Sequence, residues 1–93
     1  MQHYKLQYAK EASKDLLKMD RNVARRIVQK LESHCDSENP IKHAKPLTGN
    51  LSGLLRYRIG DYRAIFEVDT KGVITILTIL TIKHRKDVYR TDI

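Results

Sequence analysis

An α+β fold is what this chain predicts, on three observations. Residues 3–8 alternate apolar and polar, with Tyr4, Leu6 and Tyr8 on one face and Lys5 and Gln7 on the other, the period of a half-buried strand. From Ala9 to Leu31 the period lengthens to that of a helix. From Leu54 onward alternation returns in three segments separated by Gly60-Asp61 and by Gly72, as in strands joined by tight turns. The expected architecture is an N-terminal strand, an antiparallel helix hairpin, a three-stranded antiparallel meander joining one sheet, and a short C-terminal helix.

Each element has a local reason. Ala9, Ala12, Leu16 and Met19 build one apolar stripe, and Val23, Ala24, Ile27, Val28 and Leu31 build another, with Asp20 between them placed to accept the free backbone N–H groups of a helix start. So short a joint folds the helices back on each other across a sheet. Asn39-Pro40 ends the hairpin, because proline has no backbone donor and restricts the residue before it. The stretch with Lys42, His43, Lys45, Pro46 and Thr48-Gly49-Asn50 is polar and is expected to be an exposed loop. Leu55, Tyr57 and Ile59 alternate with Arg56 and Arg58, and Tyr62, Ala64, Phe66 and Val68 with Arg63, Ile65 and Glu67. Residues 73–82 are apolar on both faces, which predicts the central strand, covered on both sides. Residues 83–90 are too polar for a strand core and predict a short helix or turn.

The 93 residues suit a single domain spanning 1–93 with one modest core. Lysine and arginine number 18 against 11 acidic residues, a net charge of +7, and this selects an anionic partner, nucleic acid first. Cys35 is the one cysteine, so no internal disulfide and no cysteine metal cluster can form, and a reducing cytoplasm is expected. The longest apolar stretch, 73–82, is too short for a membrane span. His3, His34, His43 and His84 are scattered and acidic residues are few near the arginines, so no metal and no cofactor is expected.

The charge is directional. Arg56 and Arg58, two residues apart on one strand, leave the same face, and hairpin pairing across Gly60-Asp61 brings Arg63 beside Arg58. A like-charge cluster is destabilising alone and makes sense around a phosphate; the plain alternative is a solvated face whose arginine stems cover apolar neighbours. Lys83, His84, Arg85 and Tyr89 follow the apolar strand and are expected to lean over the same face. Histidine titrates near neutrality, and tyrosine offers a ring and a hydroxyl. The candidate catalytic set is therefore Arg58, Arg63, His84, Arg85 and Tyr89, with Arg56, Lys83, Lys45 and Lys42 as RNA or phosphate contacts.

At LTGNLSGLLRYRIGDYR over 47–63 and KHRKDVYR over 83–90, the chain resembles the RelE/ParE toxin superfamily of bacterial and archaeal toxin-antitoxin modules, and the likeness covers nearly the whole chain. The resemblance implies a toxin that cleaves messenger RNA in the ribosomal A site without metal or cofactor, partnered by a RelB-like antitoxin with a net acidic binding segment. It matches Arg56 and Arg58 to two basic strand positions, Arg63 to the phosphate-binding arginine, Lys83 or Arg85 to the C-terminal basic group, and Tyr89 to the tyrosine. RelE itself carries lysines where this chain has Arg56 and Arg58. Arginine is too weak an acid to serve easily as a base, so proton transfer is expected of His84 or Tyr89. Two rival functions share the fold: ParE-like inhibition of DNA gyrase by protein binding, and RNA binding with little or no cleavage.

Overall fold

The structure is a computed structural model that describes residues 3–86. Among these residues, strand β1 (His3–Tyr8), helices α1 (Lys10–Leu17) and α2 (Arg21–Cys35), and strands β2 (Lys45–Pro46), β3 (Leu55–Ile59), β4 (Tyr62–Lys71) and β5 (Ile74–His84) follow in order. They form one five-stranded sheet, ordered β1-β5-β4-β3-β2, in which β1 runs parallel to β5 and the other neighbours are antiparallel. The α+β reading and the helix hairpin between strands are as expected. Asp20 caps α2 as its position suggests, its Oδ1 accepting from the Asn22 N–H at 2.9 Å.

Four local expectations are corrected. The stretch read as an open loop holds two 3-10 turns, Pro40–His43 and Gly49–Leu51, and the two-residue strand β2, whose Lys45 lies opposite Arg56. β5 is interior, flanked by β1 and β4, but β4 occupies the middle of the sheet. Nor is β5 covered equally on both sides: Thr75, Leu77 and Ile79 are buried while Ile74, Ile76, Thr78 and Leu80 are half-exposed, because the core lies on one face of the sheet. Finally, β5 runs on through Lys83 and His84, a helical turn opens only at Arg85 and Lys86, and the rest of the expected C-terminal helix lies outside the described residues.

Both antiparallel hairpins close through two residues, with Ile59 opposite Tyr62 and Lys71 opposite Ile74. Each begins its turn with a glycine at positive φ, +59° at Gly60 and +62° at Gly72, a region other residues enter at a cost. The core lies between α2 and the sheet, where Ile27, Leu31 and Cys35 meet Tyr57, Phe66, Leu77 and Ile79. At its centre Tyr57 is sandwiched between His34 and Phe66, with ring centroids 4.5 and 4.4 Å apart, and its hydroxyl donates to the Pro40 carbonyl. This ties the turn after α2 to the sheet. Burial pushes the Tyr57 hydroxyl up to about 12 and holds the His34 imidazole below its ordinary value, aided by His43 and Lys30.

A register shift on β5 decides which side chains reach which face. Ile65 pairs with Thr81 and Phe66 with Ile79, leaving Leu80 as an extra residue without a partner on β4. Alternation is thereby reversed beyond Leu80. Ile82 joins Leu77 and Ile79 in the core instead of facing outward, and everything after it is shifted with it.

Candidate nucleic-acid interface

Directly opposed residues in an antiparallel pair share a face. Arg58 lies opposite Arg63, and Arg63 opposite Lys83, so three cations form a row across three neighbouring strands, spaced about 4.8 Å apart by the sheet itself. The adjacent row adds Lys45 and Arg56, again opposed. This is the face away from α2, since Tyr57, Ala64 and Ile82, the intervening residues, belong to the core. Arg56, Arg58, Arg63 and Lys83, expected on one face, are there together, and Lys45, expected in a loop, joins them through β2.

They are not equivalent. Arg58 is exposed. Arg63 is only 7% exposed, and its Nη1 donates to the Gly60 and Tyr62 carbonyls at 3.0 and 2.9 Å. Its charge therefore lies beneath the row, anchored by the turn, and its reach to a ligand is fixed in advance. Lys83 is held from the side: its Nζ donates to Asp15 Oδ1 at 3.0 Å and approaches Glu11 Oε1 at 3.7 Å.

Asp15, which its position in the sequence does not single out, is the residue that holds Lys83. β1 stops pairing at Ile79, and beyond it α1 covers the edge of β5. There the Asp15 carboxylate accepts from the Ile82 N–H at 2.9 Å and the Thr81 hydroxyl at 2.8 Å as well as from Lys83. Burial alone would raise its pKa, but these hydrogen bonds outweigh it and hold the carboxyl below its ordinary value of 3.8. The signal was an acidic residue on the buried side of a helix, between Ala12 and Leu16. A carboxyl with a lowered folded pKa adds stability above its unfolded pKa and loses it as pH falls through the folded value. Asp15→Asn should therefore cost about 2 kcal/mol at pH 7, measured by urea unfolding, with the gap to wild type closing at pH 3. A gap that stayed constant would mean the charge does nothing.

The remaining candidates do not join the row. His84 lies opposite Tyr62 and packs edge-on against it, with ring centroids 5.3 Å apart, on the face that carries the core and α2. The expectation that it leans over the arginines is corrected, and the shift at Leu80 is the reason. Arg85 sits at the turn between the two faces, its N–H donating to the Asp61 carbonyl at 2.7 Å and its Nε 3.7 Å from Asp61 Oδ1. Lys42 stands on the 3-10 turn, outside the strands that carry the row, and the neighbouring His43 ring lies tilted against His34 of α2 with centroids 4.9 Å apart. Tyr89 lies outside the described residues. Among those residues no group of three or more His, Cys, Asp or Glu could hold a metal ion, and no helix is long and apolar enough to cross a membrane.

Comparison with known proteins agrees with this architecture. Residues 6–89 match the family model described as the ParE toxin of the type II toxin-antitoxin system, parDE. Toxin RelG of Mycobacterium tuberculosis is 30% identical over 87 residues, covering 94% of this chain and 97% of that protein. The structure resembles the toxin-antitoxin complex RelBE2 of M. tuberculosis, with a TM-score of 0.69 and 24% identity over 88% of this chain and 98% of that one. It also resembles the archaeal RelE-RelB complex of Pyrococcus horikoshii, with a TM-score of 0.63 and 26% identity over 89% and 96%. With a basic sheet face on this fold and relatives matched nearly end to end, the chain belongs to the RelE/ParE superfamily as a toxin of a type II toxin-antitoxin module.

Proposed function

We propose that this toxin is a metal-independent endoribonuclease that cuts messenger RNA in the ribosomal A site and so inhibits translation in the cytoplasm. The observation that carries the reading is the row Arg58, Arg63 and Lys83, flanked by Arg56 and Lys45, on one sheet face. In the reaction the 2′-hydroxyl gives up its proton and attacks the adjacent phosphorus in line. The bond to the 5′-oxygen then breaks, that oxygen takes a proton, and a 2′,3′-cyclic phosphate and a 5′-hydroxyl result. The charge that develops lies on the non-bridging oxygens, where fixed cations act most strongly.

Arg58 grips those oxygens through its fork, while Arg63, anchored by the turn carbonyls, supplies charge from below. Arg56 and Lys45 take a neighbouring phosphate. Lys83 contributes a charge partly balanced by Asp15, which limits repulsion within the row. Arg85, beside the turn, adds a further fixed positive charge, and proton transfer falls to Tyr89. The partner that silences the toxin is a RelB-like antitoxin whose net acidic segment covers the cation row, since complementary charge gives both steering and specificity.

The ParE description of the matching family supports a second reading, inhibition of DNA gyrase by binding. Primer extension on a message under translation separates the two. Breaks at codon positions after toxin induction are the expected result; intact messages with inhibited gyrase would replace the nuclease by the ParE-like activity.

A further inference from the structure

On the other side of the Gly60-Asp61 turn, three cavities run end to end along the flank of α2. The first, about 320 Å³, lies between Arg26 and Lys30 of α2 and Ile59 of β3. The second, about 290 Å³, shares Arg26 and Ile59 and extends to Tyr62 and His84. The third, about 400 Å³, shares Tyr62 and His84 and ends at Lys18 and Lys83. Together they make one groove with an apolar and aromatic floor, walled along α2 by Arg26 and Lys30.

Its position matters. Ile59, Tyr62 and His84 stand one residue from Arg58, Arg63 and Lys83 on the same three strands, so the groove and the cation row are the two faces of one sheet end. A strand leaving the row needs only to round the Gly60-Asp61 turn to enter the groove. Three acids also line it, Asp61 in the second cavity and Asp15 and Asp20 in the third, and each already has a partner: Asp61 faces Arg85, Asp15 holds Lys83, and Asp20 caps α2. Arg26 and Lys30 are exposed and, among the described residues, make no ion pair. One helical turn separates them, about 6 Å along the groove.

We infer that this groove carries the RNA strand on one side of the cleaved phosphate, with a base against the Tyr62 and His84 rings and successive phosphates on Arg26 and Lys30. This rests on the RNA-cleaving reading and extends it to a second contact surface. Stacking rings beside a cationic wall are what single-stranded nucleic acid uses without sequence readout. An acidic protein segment would use the cations and leave the rings idle.

The test is fluorescence anisotropy of a labelled ten-nucleotide RNA, 2′-O-methylated throughout so that it cannot be cut, with wild-type toxin, the Arg26→Gln/Lys30→Gln variant and the Arg58→Gln variant. Both groove substitutions are at exposed positions, and circular dichroism checks the fold. Losing two phosphate contacts should make the slope of log affinity against log salt shallower by about 1.4 and weaken binding about tenfold, and a 4-thiouridine probe should crosslink to Tyr62 or His84. Wild-type binding in the groove variant, with loss in the Arg58 variant, overturns the groove and leaves the nuclease standing. A groove variant that loses only affinity for a polyglutamate peptide assigns the surface to an acidic protein and overturns it too. If wild-type toxin binds none of this RNA, the groove is again overturned, while the cleavage reading stands or falls separately on primer extension.

Discussion

Replacing Arg58 and Arg63 together by alanine is expected to lower the rate of message cleavage by at least about a thousandfold, because removal of a single preorganised charge-stabilising donor typically costs a hundred- to a thousandfold. The single variants should differ in stability although both lose activity. Arg58 is exposed opposite another arginine, so Arg58→Ala relieves a like-charge contact and should leave stability within about 0.5 kcal/mol. Arg63→Ala also removes the two bonds to the Gly60 and Tyr62 carbonyls, at a cost of about 1–2 kcal/mol. Arg58→Lys keeps the charge and loses the fork, and should fall between wild type and alanine. Single-turnover cleavage alongside urea melts reads both quantities; a double variant that cuts at the wild-type rate would remove the cation row from the mechanism.

The largest loss of stability is expected for Tyr57→Ala, about 3–5 kcal/mol, against roughly 5–14 kcal/mol for a domain of this length. Tyr57 is fully buried, stacked on His34 and Phe66, and bonded to the Pro40 carbonyl. Alanine leaves a cavity in the core and an unsatisfied carbonyl at the turn that leads into β2. Tyr57→Phe keeps the stack and loses only the hydroxyl, so about 1–2 kcal/mol is expected. Denaturant unfolding followed by circular dichroism distinguishes them, and equal losses in the two variants would assign the effect to the hydroxyl alone. Cleavage should fall with the folded fraction, since Arg56 and Arg58 are held on either side of this residue.

The alternation of Arg56 and Arg58 against Leu55, Tyr57 and Ile59 was enough to place both arginines on one face, and the glycine turn was enough to set Arg63 beside Arg58. The errors lie where alternation was interrupted or where partners are distant. Residues 73–82 are isoleucine, leucine, threonine and valine throughout, so nothing in them marks Leu80 as the extra residue. Simple alternation from Leu77 and Ile79 would have turned His84 outward toward the arginines; the shift sends it inward and brings Lys83 out. Lys45-Pro46, a polar pair with a proline, carries no strand signal, and it pairs only because β3 presents a free edge.

What this amino-acid sequence determined by itself is what depends on near neighbours: strand and helix periods, the Asp20 cap, the hairpin at Gly60, and a face bearing several arginines. These follow from backbone geometry and side-chain spacing within a few residues. Tertiary structure alone decided that β1 lies parallel to β5, that Asp15 reaches Lys83 from 68 residues away, that Arg63 is buried under the row, and that His84 opens onto a groove beside α2. Those outcomes depend on which distant edges and faces pack together, and one unpaired residue in an interior strand is enough to reverse them.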